Sequence, residues 1–164
     1  MKTILCDASP LIFLAKIDQL ELIFEVLEGE VSVLQVIVDE ICSESANEIE
    51  LMRLRAFLKS VEIVDFSDSE YPSETLSKND RSVLNFAIRN QVDWLVADER
   101  LLRRIAIENK IAVIGTFGIL IGAVRKNLRT ADEVQTMVDD LVGKHGCRIS
   151  IALYQQIIKA LEGD

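Results

Sequence analysis

Histidine is almost absent from this sequence: His145 is the only one among 164 residues. Zinc sites rich in imidazole ligands and Ser-His-Asp triads both depend on histidine, so the composition argues against either. Aspartate and glutamate, in contrast, number 27. If the chain is an enzyme, we expect its catalysis to rest on carboxylates.

Cysteine, proline and glycine are also few, at 3, 2 and 7 residues. Cys6, Cys42 and Cys147 are odd in number and far apart, which is typical of reduced thiols in a cytoplasm. Few turn-forming residues and a hydrophobic share of 49% exclude a disordered or collagen-like chain. We expect one cytoplasmic domain over residues 1–164, with C-terminal helices at about 130–162 packed on its core.

Long hydrophobic runs are absent as well. The longest uncharged stretch, Ile111 to Val124, is shorter than the roughly 20 apolar residues that a membrane-spanning helix needs. Asp7 comes too early in the chain for the apolar region of a secretory signal. The sequence therefore predicts no membrane segment.

Short apolar runs alternate with helical periodicity along the chain, which favours an α/β fold with a central parallel sheet flanked by helices on both sides. The predicted strands are Thr3–Cys6, Glu30–Leu34, Val61–Asp65, Trp94–Ala97 and Ile111–Ile114. Predicted helices include one entered through Pro10, followed by Leu20–Leu27, Gln35–Cys42, Glu48–Lys59, a helix capped by Asn79 or Asp80, Glu99–Asn109, Phe117–Lys126, Ala131–Val142 and Ile151–Leu161. Ser67–Lys78 lacks periodicity and is predicted to be a loop.

Two aspartates follow predicted strands directly. Asp7 comes after the first strand and Asp98 after Trp94–Ala97. Ligands of open parallel sheets bind beyond the carboxyl ends of strands, so we expect both carboxylates to point into one crevice. Asp80 lies at a helix N-terminus, where a carboxylate is electrostatically favoured. Each of these acids has a simpler alternative role as a helix cap.

A fourth acid must be chosen between neighbours on one helix. Ile37, Val38 and Ile41 define its apolar stripe. At the helical angle of 100° per residue, Glu40 lies about 105° from the centre of that stripe and Asp39 about 155°. We therefore expect Glu40 to flank the buried face and Asp39 to point to solvent, although Glu40 could also be a surface residue.

Converging carboxylates without histidine suit hard divalent cations such as Mg²⁺ or Mn²⁺, which prefer oxygen ligands. A cation held in this way can activate water and stabilise the charge that builds on a phosphate. Without the cation, crowded carboxylates repel one another, and the pKa of at least one should rise. The pattern favours hydrolysis of phosphodiester bonds.

The formal net charge of −9 argues against nucleic acid as a partner, but the charge is unevenly distributed. Residues 18–75 contain 15 acidic and 3 basic residues, whereas residues 100–129 contain 7 basic residues and 1 acidic residue. The basic segment is therefore a local candidate for binding nucleic acid. The candidate phosphate-binding residues are Arg81, Arg100, Arg103 and Arg104, and ion pairs with the acidic half of the chain are the alternative.

At these positions the sequence resembles the PIN-domain family of ribonucleases, and in particular a bacterial and archaeal branch related to VapC-type toxins. The resemblance covers essentially the whole chain. It is carried by residues 5–12 (LCDASPLI), 14–17 (LAKI), 36–41 (VIVDEI), 80–84 (DRSVL), 95–100 (LVADER), 115–120 (GTFGIL) and 148–150 (RIS).

The resemblance implies a PIN-like fold and cleavage of single-stranded RNA that depends on Mg²⁺ or Mn²⁺. By position, Asp7, Glu40, Asp80 and Asp98 match the acidic quartet of the family. Asp80 stands where this branch usually has glutamate, so its side chain is one methylene shorter. The resemblance also implies a homodimer and, for the toxin half of a toxin–antitoxin pair, a small antitoxin as partner.

Two alternatives stay open. Thr116 lies near the position where the family often has a further polar residue beside the metal, but it could merely cap a helix starting at Phe117. The whole chain could be a non-catalytic PIN-like module that binds nucleic acid or a regulatory protein without turnover.

Overall fold

The computed structural model describes residues 1–44, 47–70 and 75–163. Within them, one five-stranded sheet has the order β3-β2-β1-β4-β5, and every pair of neighbours is parallel. The predicted α/β fold around a parallel sheet is confirmed. The strands are β1 (Lys2–Cys6), β2 (Gly29–Leu34), β3 (Glu62–Val64), β4 (Trp94–Val96) and β5 (Ala112–Ile114).

Helices form the connections and the C-terminal part of the described chain. No helix among the described residues is both long and apolar enough to cross a bilayer. The helices are α1 (Ala8–Lys16), α2 (Leu22–Leu27), α3 (Gln35–Glu44), α4 (Glu48–Leu58), α5 (Lys78–Asn90), α6 (Arg100–Glu108), α7 (Thr116–Arg125), α8 (Ala131–Gly143) and α9 (Ile151–Leu161).

The helix after the predicted loop begins slightly earlier than its sequence suggests. The prediction that Asn79 or Asp80 caps α5 is wrong, because the Ser77 hydroxyl accepts the bond from the backbone N–H of Asp80 at 3.0 Å. Serine in extended conformation before a helix is a favoured cap for this reason. Residues 71–74 of the predicted loop lie outside the described residues.

The central strands are buried on both faces. Ile4, Leu5 and Cys6 of β1 are consecutive, and all three are buried. This is the pattern of a parallel strand covered by helices on either side. At the sheet edge, β3 is more open, and its Ile63 is 44% exposed.

The strand order reverses direction beside β1, and this reversal positions the site. From β1 the chain moves outward to β2 and β3, and it then returns to form β4 and β5 on the other side. Right-handed crossovers in opposite directions place α1–α4 on one face of the sheet and α5 and α6 on the other. The last three helices follow on from these, with α7 contacting α1 and α2 and with α8 and α9 packed against α7.

The carboxyl ends of β1 and β4 therefore lie side by side. The backbone N–H of Asp7 donates to the carbonyl of Val96 at 2.9 Å, which continues the pairing of these two strands. Such a switch point in an open parallel sheet leaves a crevice outside the strand ends.

A glycine at the start of β2 allows the first two strands to approach closely. A Cβ added at Gly29 would lie 2.4 Å from the carbonyl oxygen of Lys2. Because that oxygen belongs to the β1 backbone, we expect Gly29→Ala to destabilise the protein by about 1–3 kcal/mol in urea denaturation.

The matched control for this test is Gly143→Ala. Gly143 ends α8, and an added Cβ there would meet nothing within 4 Å. We expect its unfolding midpoint to stay constant or to rise, since alanine favours helix. Equal midpoints for the two variants would contradict a close approach at Gly29.

Candidate functional site

Asp7 lies where β1 ends and α1 begins. It occupies the N-cap position of α1, yet its carboxylate makes no capping hydrogen bond. The residue is 4% exposed, and Oδ1 is buried without a hydrogen-bond partner among the described residues. A buried, unpartnered carboxylate oxygen is unfavourable, so helix capping does not account for an aspartate at this position.

Asp98 follows β4 and is held by hydrogen bonds from two helices. Thr116 donates its backbone N–H to Oδ1 at 2.8 Å and its hydroxyl to Oδ2 at 2.7 Å. Ser9 of α1 donates its hydroxyl to Oδ2 at 3.0 Å. These bonds fix the direction of the Asp98 carboxylate, and the positive end of α7 favours its charge.

The alternative that Thr116 caps a helix starting at Phe117 is wrong. Thr116 is itself the first residue of α7, and Gly115 occupies the cap position. A Cβ added at Gly115 would lie 2.7 Å from Asp98 Oδ1 and 2.8 Å from Arg103 Nη1. Glycine therefore leaves the room in which Asp98 and Arg103 sit side by side.

Glu40 reaches the crevice from α3. It is half-buried, whereas Asp39 is exposed and accepts a hydrogen bond from Gln35 at 2.9 Å, in agreement with the helical periodicity. Asn79 donates from Nδ2 to Glu40 Oε1 at 2.7 Å, which ties the beginning of α5 to α3. Asn79 thus orients Glu40 and leaves its second carboxylate oxygen to other partners.

Asp80 lies in the first turn of α5, next to Asn79. Burial is the main cause that raises its pKa above the ordinary value, and the hydrogen bond with Ser77 opposes this. The charges of Glu99 and Glu40 raise the pKa further, while a hydrogen bond with Asp7 lowers it. Asp80 and Asp7 therefore interact directly, and each carboxyl affects the ionisation of the other.

Asp7 is the most perturbed of these acids. Burial raises its pKa to about 8, and the charge of Asp80 adds to that effect. A backbone hydrogen bond from Ala8 acts in the opposite direction, and the charges of Glu40 and Asp98 contribute smaller increases. The structure thus brings Glu40, Asp80 and Asp98 within electrostatic reach of Asp7.

These carboxylates converge without forming a closed cage. Across residues 1–44, 47–70 and 75–163, no three acidic, histidine or cysteine side chains stand close enough together to hold a metal ion. The donors are nonetheless all oxygens, and Asp7 Oδ1 has no partner among the described residues. This donor chemistry fits a hard divalent cation.

The candidate arginines are placed differently from one another. Arg103 donates from Nη1 to the carbonyl of Ala97 at 2.9 Å, which holds it beside Asp98. Arg81 is half-buried, and its Nε has no hydrogen-bond partner among the described residues. Arg100 is exposed, and Arg104 lies within 3.9 Å of Glu108 on its own helix. Arg103 is therefore the candidate that the structure brings to Asp98.

Ion pairs between the basic and acidic halves of the chain do form, but at other residues. Lys126 Nζ lies 2.7 Å from Glu28, and Arg129 Nη2 lies 3.1 Å from Glu21. These pairs join the end of α7 and the segment after it to the region of α2. They explain part of the basic segment without any nucleic acid.

Beside Asp98 the surface opens into a cavity of about 830 Å³. Ser9, Asp98 and Arg103 line it together with residues of β5, α7 and the C-terminal segment that leads into α9. Phe117 and Trp94, both half-buried, pack against the hydrophobic core, and Phe117 also borders this cavity.

Three polar residues of the site carry no distinctive signal in the sequence. Ser9 looks like part of a helix start, Asn79 looks like a cap, and Glu99 looks like the first residue of its helix. Glu99 does cap α6, accepting from the Leu102 N–H at 2.7 Å. The closeness of Asp98 to Ser9 and of Glu40 to Asn79 depends on tertiary packing, although both polar residues stand within two positions of a predicted acid.

Comparison with known proteins agrees with this architecture. A family model described as a PIN domain matches residues 3–163. The chain is also similar to a solved structure of a PilT N-terminus domain protein from the hyperthermophilic archaeon Sulfolobus solfataricus, with a TM-score of 0.53. That match covers 71% of this chain and 89% of the other, at 13% identity, and so supports the fold alone.

No curated protein matches the sequence. The family model nevertheless spans almost the entire chain, and the parallel sheet with acids at its switch point is in keeping with it. The chain belongs to the PIN-domain family.

Proposed function

We propose that this protein is a metal-dependent endoribonuclease that hydrolyses phosphodiester bonds of single-stranded RNA with Mg²⁺ or Mn²⁺. PIN domains are generally nucleases. The observation that carries the proposal is the buried Asp7, with an unpartnered oxygen and three other carboxylates nearby. Such crowding destabilises the folded state and is relieved when a cation neutralises the charge.

Asp7 and Asp98 are the principal candidate metal ligands, with Glu40 and Asp80 completing the set. When bound, the cation would activate a water molecule and neutralise the charge that develops on the phosphate. Hydrogen bonds from Thr116 and Ser9 fix the direction of the Asp98 carboxylate at the crevice.

Glu40 and Asp80 would orient the attacking water. Asn79 occupies only Oε1 of Glu40, which leaves Oε2 able to accept a hydrogen bond from that water. Asp80, which lies against Asp7, would complete the set of oxygens around the cation and this water.

The arginines would bind the RNA backbone. Arg103 lies beside Asp98, where its guanidinium can contact the phosphate under attack. Arg81 follows Asp80 directly, and its Nε makes no hydrogen bond with the described residues. Thr116, Arg100 and Arg104 are further candidates for substrate binding, although the hydroxyl of Thr116 is already bonded to Asp98.

The proposal extends to partners through the resemblance to VapC-type toxins. A toxin of this kind would act as a homodimer and be held inactive by a small antitoxin.

If the protein is such a toxin, its induced expression should arrest the growth of a bacterial host, and expression of Asp98→Asn to the same level should not. Unimpaired growth with both proteins would remove the toxin role but not the nuclease activity.

The main prediction concerns cleavage of a labelled single-stranded RNA pool. Wild-type protein should cleave the pool with Mn²⁺ or Mg²⁺ and not with EDTA. Asp98→Asn and Glu40→Gln should each lower the cleavage rate by about 100-fold or more, since each removes a charge that acts on the reacting phosphate or water.

Asp39→Asn is the matched control because it removes an exposed carboxylate from the same helix as Glu40. Its rate should equal that of the wild type. RNA binding without cleavage under any metal would favour the non-catalytic module, and cleavage that survives in Asp98→Asn would point to a contaminating nuclease.

A second prediction uses the ionisation of Asp7 in EDTA. The pKa of Asp7 is about 8 in the folded protein, against an ordinary value of 3.8. Between these values the unfolded chain has lost the proton and the folded protein keeps it, so stability falls as the pH rises. Asp7→Asn should therefore melt at a higher temperature than the wild type. The difference between their free energies of unfolding should increase by up to about 1.4 kcal/mol per pH unit.

Adding metal should reduce this difference in melting temperature. Mn²⁺ stabilises only the state that binds it, so it should raise the melting temperature of the wild type and not that of Asp7→Asn. Asp39→Asn should respond to Mn²⁺ as the wild type does. Equal responses of wild type and Asp7→Asn would remove Asp7 from the metal site.

A further inference from the structure

The cavity beside Asp98 is larger than carboxylate chemistry requires. Its volume of about 830 Å³ lies within the range of roughly 300–1,000 Å³ that is usual for ligand pockets. Most of its wall is apolar and half-buried, formed by Phe13, Val113, Ile114, Phe117, Ile121 and Ile149.

Polar groups border this apolar wall. Ser9, Asp98 and Arg103 belong to both the cavity and the candidate catalytic site. Arg148 and Gln156, on the C-terminal side, are exposed, and neither makes a hydrogen bond or ion pair with any described residue. Two cations, two carboxylates, an amide and an apolar wall with two phenyl rings thus line one cavity.

We propose that this cavity is a nucleobase pocket, which holds the base next to the phosphate cleaved at Asp98 and selects among RNA sequences. The proposal rests on the proposed function. Each base is joined to its phosphate through a single sugar, so a phosphate at Asp98 brings a base to the mouth of the adjoining cavity.

The chemistry of the lining matches a nucleotide. Proteins that recognise single-stranded RNA hold unpaired bases against aromatic or guanidinium planes and form hydrogen bonds with the base edges. Phe13 and Phe117 supply phenyl rings, whereas Arg148 and Gln156 supply free donors. Arg103, at the junction with Asp98, adds positive charge where the backbone phosphate would lie.

The pocket can be tested with two tryptophan substitutions on one helix. Leu153 lines the cavity and is 38% exposed, so Leu153→Trp would fill the pocket from its rim without disturbing the core. Ile151 is 79% exposed and does not line the cavity, which makes Ile151→Trp the matched control. Thermal melting would establish that both variants are folded.

Cleavage sites in a random single-stranded RNA pool should be mapped by sequencing for the three proteins. We expect wild type and Ile151→Trp to share one base preference beside the cleaved bond. Leu153→Trp should lose that preference and cut roughly 10-fold more slowly, as expected when a base contact is removed. An abasic nucleotide at the preferred position should slow the wild type by a similar factor but slow Leu153→Trp no further, because the two changes remove the same contact.

Unchanged preference in Leu153→Trp, or equal cleavage of abasic and intact RNA by the wild type, would overturn the pocket while leaving the nuclease in place. This is also the result expected if the cavity receives a protein segment. If the wild type cleaves nothing, anisotropy of a short labelled RNA decides instead. Weaker binding by Leu153→Trp alone supports the pocket, and equal binding by all three proteins, or none by any, overturns it.

Discussion

The hydrogen bond from the backbone of Asp7 to the carbonyl of Val96 joins the ends of the two strands between which the sheet changes direction. Because the strands are parallel, this one junction brings the segments after β1 and β4 to the same edge. This junction accounts for the positions of Asp7 and Asp98, and α1 and α7 start beside these two residues. The charge crowding, the hydrogen bonds to Asp98 and the adjoining cavity all depend on that geometry.

The crevice contains acids in two different electrostatic situations. Asp98 accepts hydrogen bonds from a helix N-terminus and from two hydroxyls, so its charge is well supported. Asp7 is buried with one oxygen unpartnered, and its pKa rises accordingly. The crevice therefore holds one carboxylate that the fold supports with hydrogen bonds and one that it buries with little support.

Much of this arrangement can be predicted from the sequence, because it follows from local patterns. The apolar runs before Asp7 and Asp98 indicate strand ends, and helical periodicity distinguishes Glu40 from Asp39. What local patterns miss is contact between distant segments. Ser9 and Asp98 are 89 positions apart, and Asn79 and Glu40 are 39 apart, so their hydrogen bonds appear only when the helices pack. The cavity likewise requires α9 to lie against α7.

Burial of the Asp7 carboxyl group also affects how this protein would respond to selection in the laboratory. Natural proteins often retain destabilising groups where function requires them. A screen that rewards heat resistance alone would favour a neutral residue of similar size at position 7, because such a residue removes the cost of burying an ionisable group. Directed evolution for thermal tolerance would thus replace Asp7, and with it one of the four acids of the crevice, unless activity were selected at the same time.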